Sequence, residues 1–253
     1  MIAKTEEQIQ HLRTAGKALA EVLREIATLV APGVSTAELD LAAQKAIEAH
    51  GAVSAFFGYK PEGAKTAFPA TLCVSINEEV VHGIPSETRI LKEGDTVSLD
   101  LGLSYKGFFV DSAITVCVGE GDAQAKKLIS ATRDATLSGI AAARVNNHID
   151  DIGAAVSRTA KAAGFAVVED LGGHAVGKAV HEKPFIANFG NPGEGEKIVE
   201  GMVLAIEPML CEGSPKIILA KDNWTYAMRD QKRAAHFEHT ILVTKDGPEI
   251  LTA

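Results

Sequence analysis

VSLDLGLSYKGFFVDSA, residues 97–113, is the stretch on which the fold turns. Val97, Leu99, Leu101 and Leu103 alternate with Ser98, Asp100, Gly102 and Ser104, and Phe108, Phe109 and Val110 follow Tyr105-Lys106-Gly107. This period-two pattern around a short polar break predicts a β-hairpin, with Gly107 free to take a positive φ. A turn centred between Tyr105 and Lys106 sets residues whose numbers sum to 211 opposite each other, so Asp100 faces Asp111. Like charges facing across a strand pair destabilise it. A sequence that keeps them needs a shared proton or a cation. A register slip of one residue instead splays the two aspartates onto opposite faces. The hairpin by itself leaves both readings open.

The bulk properties narrow the class. With 253 residues the chain forms one large domain or two small ones, and 46% hydrophobic residues is ordinary for a globular protein. A net charge of −8 argues against a broad nucleic-acid surface, and no sequence-specific nucleic-acid partner is expected. No apolar run reaches transmembrane length, so no membrane partner is expected. The first residues, MIAKTEEQIQHLRTAGKALAEVLREI, read as an amphipathic helix and not as a signal peptide. Three cysteines without metal-type spacing, Cys73, Cys117 and Cys211, point to a reducing, cytoplasmic setting.

Thr5-x-x-Gln8 opens a first helix that ends before Pro32-Gly33, and Ser35-x-x-Glu38 opens a second that ends at Gly51. A long helix over 123–143 and a shorter one from His148 to Gly164 repeat that layout at an offset of 113 residues. Leu39 then meets Ile152, Ala49 meets Ala162 and Gly51 meets Gly164. This reads as a weak internal duplication, although alanine-rich helices also match by composition alone. Strands are predicted at 72–77, 165–169, 202–207, 216–220 and 239–244 besides the hairpin. Short strands flanked by four helices argue an α+β fold with a mainly antiparallel sheet. No Pro-, Gly- or Ser-rich linker divides the chain, so residues 1–253 are expected to form a single domain with an approximate internal twofold.

Several polar residues stand in apolar company. Glu207 ends Val203-Leu204-Ala205-Ile206, Glu238 precedes a run of aliphatic residues, and His174 follows Gly172-Gly173. Taken singly, each has a structural explanation: a solvated glutamate at a strand end, or a hydrogen-bonded core histidine. Taken together, two Asp, two Glu and one His form a mainly oxygen ligand set suited to two divalent ions with bridging carboxylates. Without cations, four converging carboxylates repel strongly.

LDLGL, GFFVDSA, LGGHAVGKAVHEKP, LAIEPM and FEHTILVT closely resemble the signatures of type I methionine aminopeptidases. The ligand types also follow at matching intervals of 11, 63, 33 and 31 residues, from Asp100 through Asp111, His174 and Glu207 to Glu238. The resemblance covers almost the whole chain and favours the facing aspartate pair. It implies the pita-bread fold, with pseudo-twofold helix pairs packed on a curved sheet. It also implies a dinuclear centre in which Asp111 and Glu238 bridge, Asp100 chelates one ion, and His174 and Glu207 hold the other. His82 in VVHGIP and His181 in HEKP match the family's histidines that contact the scissile amide and steady the oxyanion. An imidazole suits both tasks because it donates a hydrogen bond without fixed charge near neutral pH. Glu207 is then the group that takes a proton from the attacking water and passes it to the leaving amine.

The same resemblance assigns the pocket for the first side chain to Phe56, Tyr59, Phe68, Cys73, Met209 and Trp224. A soft apolar pocket fits a methionine thioether. The implied substrate is the N-terminal methionine of peptides and nascent chains, with the ribosome a candidate docking partner. Manganese, iron, cobalt and zinc all suit the donor set. No added zinc module is expected, and a monomer is the default. Four departures bear on rate and side-chain preference: Ala175 and Val180 around the histidines, Phe56 for a small residue, and extra residues at 60–67. Gly172-x4-Gly177-Lys178 nearly spells a phosphate-binding loop, but Ala179 lacks the hydroxyl that such a loop uses to hold magnesium. An Xaa-Pro peptidase of the same fold, or a metal-free binding protein on this scaffold, are the competing readings.

Overall fold

A computed structural model describes all of residues 1–253. The first half runs through α1 (Glu6–Thr28), α2 (Thr36–Ala49), β1 (Val53–Ser54), β2 (Cys73–Ile76), β3 (Glu79–Val81), β4 (Thr96–Tyr105) and β5 (Phe108–Cys117). The second begins with α3 (Ala123–Ala142), α4 (Ile149–Ala163), β6 (Ala166–Val167), β7 (Gly172–Ala175) and β8 (Glu182–Ala187). It closes with β9 (Val203–Ile206), β10 (Met209–Cys211), β11 (Ile217–Leu219), β12 (Tyr226–Met228), β13 (Ala234–His236), β14 (Glu238–Thr244) and β15 (Gly247–Ile250).

The helix starts follow local chemistry. Thr5 accepts from the Gln8 N–H, while the Gln8 side chain reaches back to the Lys4 N–H rather than to Thr5 itself. Ser35 and Glu38 form the complete reciprocal capping box. Gly51 and Gly164, after α2 and α4, have φ of 65° and 85°, a conformation in which glycine carries no Cβ penalty. α2 and α4 begin at Thr36 and Ile149, a separation of 149 − 36 = 113 residues, so the predicted offset describes real elements.

Nine strands form one antiparallel sheet in the order β1-β4-β5-β14-β9-β7-β8, with β2 added on β4 and β15 on β14. Two three-stranded sheets, β13-β10-β6 and β11-β12-β3, complete the fold. Val97, Leu99, Leu101 and Leu103 pack with Leu12, Leu19, Val22 and Ile26 of α1 in the largest core. Each such aliphatic side chain, once buried, stabilises the fold by roughly 2 kcal/mol. The alternating residues Ser98, Asp100 and Gly102 project from the other face, away from α1.

The hairpin register differs from the sequence expectation. Its turn is Lys106-Gly107, with φ of 50° and 76°, and opposed residues sum to 213. Asp100 lies opposite Ala113, and Asp111 lies opposite Gly102. Two consecutive left-handed residues close a tight two-residue turn whose twist matches the strands. The shift is two residues, so both aspartates keep one face but stand diagonally instead of head-on.

Candidate metal centre

Register brings the five predicted ligands to one face of the sheet. Asp100, Ala113 and Glu238 form a row across β4, β5 and β14. Asp111 is two residues from Ala113 and shares its face. A second row joins His174, Ala205 and Thr240 across β7, β9 and β14. Thr240 is two residues from Glu238, and Glu207 is two residues beyond Ala205, so both rows look the same way. Gly173 lets β7 approach β9, because a Cβ there would stand 2.3 Å from the Ala205 carbonyl oxygen. That approach sets His174 against Glu207, with Nε2 and Oε1 3.3 Å apart.

The ligand atoms converge. Asp100, Asp111 and Glu238 offer atoms within 4.8 Å of one another, as do His174, Glu207 and Glu238, and Asp111, His174 and His181. Asp100, Asp111, His174 and Glu238 are all buried. Oδ1 of Asp100 and Oε1 of Glu238 are buried without a hydrogen-bond partner. No lysine or arginine lines the cavity that holds them. Buried charge of this kind is stable only with a counter-charge. Nδ1 of His174 lies 3.0 Å from the Ala175 carbonyl oxygen and donates to it in the tautomer that leaves the Nε2 lone pair free. Unpartnered carboxylate oxygens and a histidine held in this way fit a divalent-cation site.

The electrostatics agree. Burial, then the charges of Asp111 and Glu207, push the Asp100 carboxyl well above the carboxylate range. Burial, with Asp111, Glu207 and Asp100, does the same to Glu238. Burial lifts Asp111 to about 7 against the opposing pull of His174. Burial also raises Glu207, but the imidazoles of His174 and His236 beside it outweigh burial and bring it to about 2. Burial and neighbouring negative charge disfavour the ionised form of Asp100, Asp111 and Glu238, a cost that a bound cation would offset.

A cavity of about 280 Å³ opens over these ligands. Phe56, Tyr59, Pro61, Phe68, Cys73 and Trp224 wall it, together with His82 and His181. Phe68 meets Trp224 edge-on at 5.2 Å and Phe56 at 6.4 Å between ring centroids. The Trp224 indole N–H donates to Thr66 at 3.2 Å, tying the segment 60–67 to the wall. Cys73 lies directly across from Asp100, and burial with that aspartate pushes its thiol well above the usual range. Met209 is the exception among the expected pocket residues. It is buried beneath the cavity with Val80, Val81 and Met228, because β10 pairs it with His236 and directs it into that core. Pro61 lines the cavity without a sequence signal that marks it.

Both cavity histidines are built in. His82 has φ of 60° and is followed by Gly83, where a Cβ would meet the Val74 carbonyl oxygen at 2.2 Å. His181 stands at the mouth, with Nδ1 2.8 Å from the Tyr59 hydroxyl and its ring 4.5 Å from that of His174. Burial lowers both imidazoles to about 4, so each is neutral near pH 7. A family model describing metallopeptidase family M24 matches residues 10–245. The chain belongs to metallopeptidase family M24.

Within M24, the methionine aminopeptidase of Aquifex aeolicus is 44% identical over 252 residues, covering 98% of this chain and 97% of that protein. Methionine aminopeptidase 1 of Bacillus subtilis is 40% identical over 252 residues, covering 100% of this chain and 99% of that protein. The crystal structure of methionine aminopeptidase from Thermotoga maritima superposes with a TM-score of 0.95 at 40% identity, covering 100% of this chain and 99% of that one. The curved sheet with its helix pairs is therefore the pita-bread fold of M24. A prolidase from Pyrococcus furiosus shares the fold alone, with a TM-score of 0.75 at 20% identity over 100% of this chain and 65% of its own.

Proposed function

We propose that this protein removes the N-terminal methionine from peptides and nascent proteins by hydrolysing the first peptide bond. The observation that carries this reading is the cavity itself: an aromatic pocket set against a buried cluster of carboxylates and a histidine able to hold divalent cations. Its full-length relatives at 40–44% identity, named as methionine aminopeptidases, support it.

Two divalent cations would suit the cluster, held by Asp100, Asp111, His174, Glu207 and Glu238. When bound, they supply Lewis acidity that makes water a nucleophile near neutral pH. Glu207, whose carboxylate stays ionised, takes the water proton and returns it to the leaving amine. Neutral His82 donates to the scissile amide, and His181 donates to the oxyanion through its Nε2–H. Phe56, Tyr59, Phe68, Cys73 and Trp224 hold the methionine side chain through apolar and sulfur–aromatic contacts. Three free cysteines accord with work in the cytoplasm.

The test is a peptide pair assayed with chelator and with added manganese or cobalt. Met-Ala-Ser is cleaved only with metal, and Ala-Pro-Ala is left intact. Cleavage of the proline peptide alone assigns the Xaa-Pro activity instead. No cleavage in the presence of metal assigns a binding role.

A further inference from the structure

His236 is a buried imidazole at the centre that the proposed chemistry leaves without a task. It is 1% exposed, and neither ring nitrogen has a hydrogen-bond partner. It does not line the cavity and so stands behind the reacting groups. Its Nε2 lies 3.6 Å from Oε2 of Glu207, while Oε1 of the same carboxylate faces His174. The backbone beneath it is held hard. The Thr115 hydroxyl accepts from the His236 N–H at 2.9 Å and donates to the His236 carbonyl at 2.7 Å. Ser98 supports Thr115 at 2.8 Å, and β10 pairs His236 with Met209.

A buried ring nitrogen without a partner is unfavourable, and a carboxylate oxygen a few tenths of an ångström beyond hydrogen-bond reach is its available acceptor. The alternative donor to Glu207 is His174. With its Nδ1–H given to the Ala175 carbonyl, neutral His174 has only a lone pair at Nε2 and cannot donate. His236 is the imidazole that remains.

We infer that His236 is a positioning residue: its Nε2–H donates to Oε2 of Glu207 and fixes the plane in which that carboxylate meets cation and water. This rests on reading Glu207 as the proton-carrying carboxylate. Ligand carboxylates held by such outer partners typically lose 10–100-fold in affinity or activity when the partner is removed.

The experiment compares H236Q, which keeps an N–H donor, with H236L, which does not. Each is measured for kcat and KM on Met-Ala-Ser, for manganese affinity by calorimetry, and for melting of the metal-free protein. H236L is expected to lower kcat and manganese affinity by about 10–100-fold, with KM changed less than about twofold. H236Q is expected to recover most of both. If H236L does not fold, H236M fills the volume without a donor and takes its place. H236Q falling as far as the donor-free variant overturns the inference, as does a rise in KM at unchanged kcat. Because manganese affinity is read without turnover, loss of the positioning role is distinguished from a wild-type protein that cleaves no methionine peptide.

Discussion

The Thr240 hydroxyl accepts from the Asp111 N–H at 2.9 Å and donates to the Asp111 carbonyl at 2.8 Å. Counted from the turn pair Tyr105–Phe108, the Asp111 peptide groups point away from β4 toward β14. The β5–β14 ladder itself stops at Ser112 and His239, so a side chain continues it. Thr115 treats His236 in the same way. The sheet opens at the ligands, and two hydroxyls span the gap.

T240V therefore leaves two buried peptide groups unpaired, each costing about 1–3 kcal/mol. A drop of several kcal/mol in urea stability is expected, together with weaker manganese binding because Asp111 loses its anchor. T240S keeps the hydroxyl and should recover most of both. Equal urea midpoints for wild type and T240V would refute the role given to Thr240.

The candidate ligands stood out in the sequence through unusual local patterns, His174 after two glycines, Glu207 before proline and Glu238 before an aliphatic run, and the resemblance to the family joined them into one set. The helix caps and the offset between helix pairs were legible for the same reason, since they depend on neighbours in the chain. The hairpin register was not. It depends on Lys106 taking a left-handed φ of 50°, which nothing in a lysine announces. Met209 was misplaced because its surroundings are set by pairing with β13, a three-residue strand too short to show periodicity. β7 and β8, which carry and flank His174, also lack alternation, since their shape depends on how closely Gly173 lets β9 approach.

The raised carboxyls predict how stability depends on pH. In the metal-free protein the Asp111 carboxyl rises from 3.8 to about 7, so across that interval the folded state holds more protons than the unfolded state. Stability therefore falls as pH rises through the window, and Asp100 and Glu238 act in the same direction. Glu207 opposes them: lowered from 4.5 to about 2, it contributes stability above 4.5 that is lost as pH falls toward 2. EDTA-treated protein should lose melting temperature between pH about 4 and about 7. With manganese the decline should vanish, because cations bind the deprotonated carboxylates. Identical pH profiles with and without metal would contradict the assignment.

Tyr59 sets the tautomer of His181. The phenol oxygen lies 2.8 Å from Nδ1, and with the phenol as donor the ring proton stands on Nε2, the tautomer the oxyanion role needs. Y59F frees the imidazole to adopt either tautomer and forfeits a hydrogen bond worth about 1 kcal/mol, so kcat should fall roughly 3–10-fold. Melting temperature and KM should change little, since the ring stays in place. A change confined to KM would mean that Tyr59 acts on binding alone.

Phe56 is held over Gly102, where a Cβ would lie 2.7 Å from its Cε1 atom. Gly102 is the residue opposite Asp111, so the missing side chain there is what admits the ring beside the candidate metal ligands. F56A removes that wall, with a stability loss of about 3–5 kcal/mol typical of a buried Phe→Ala change. It should also let bulkier first residues reach the cluster. G102A does the reverse: its methyl displaces the ring into the cavity and narrows it. The ratio of kcat/KM for Phe-Ala-Ser to that for Met-Ala-Ser should therefore rise in F56A and fall in G102A. If the ratio stays constant in both folded variants, the Phe56–Gly102 contact does not set the size of the first-residue pocket.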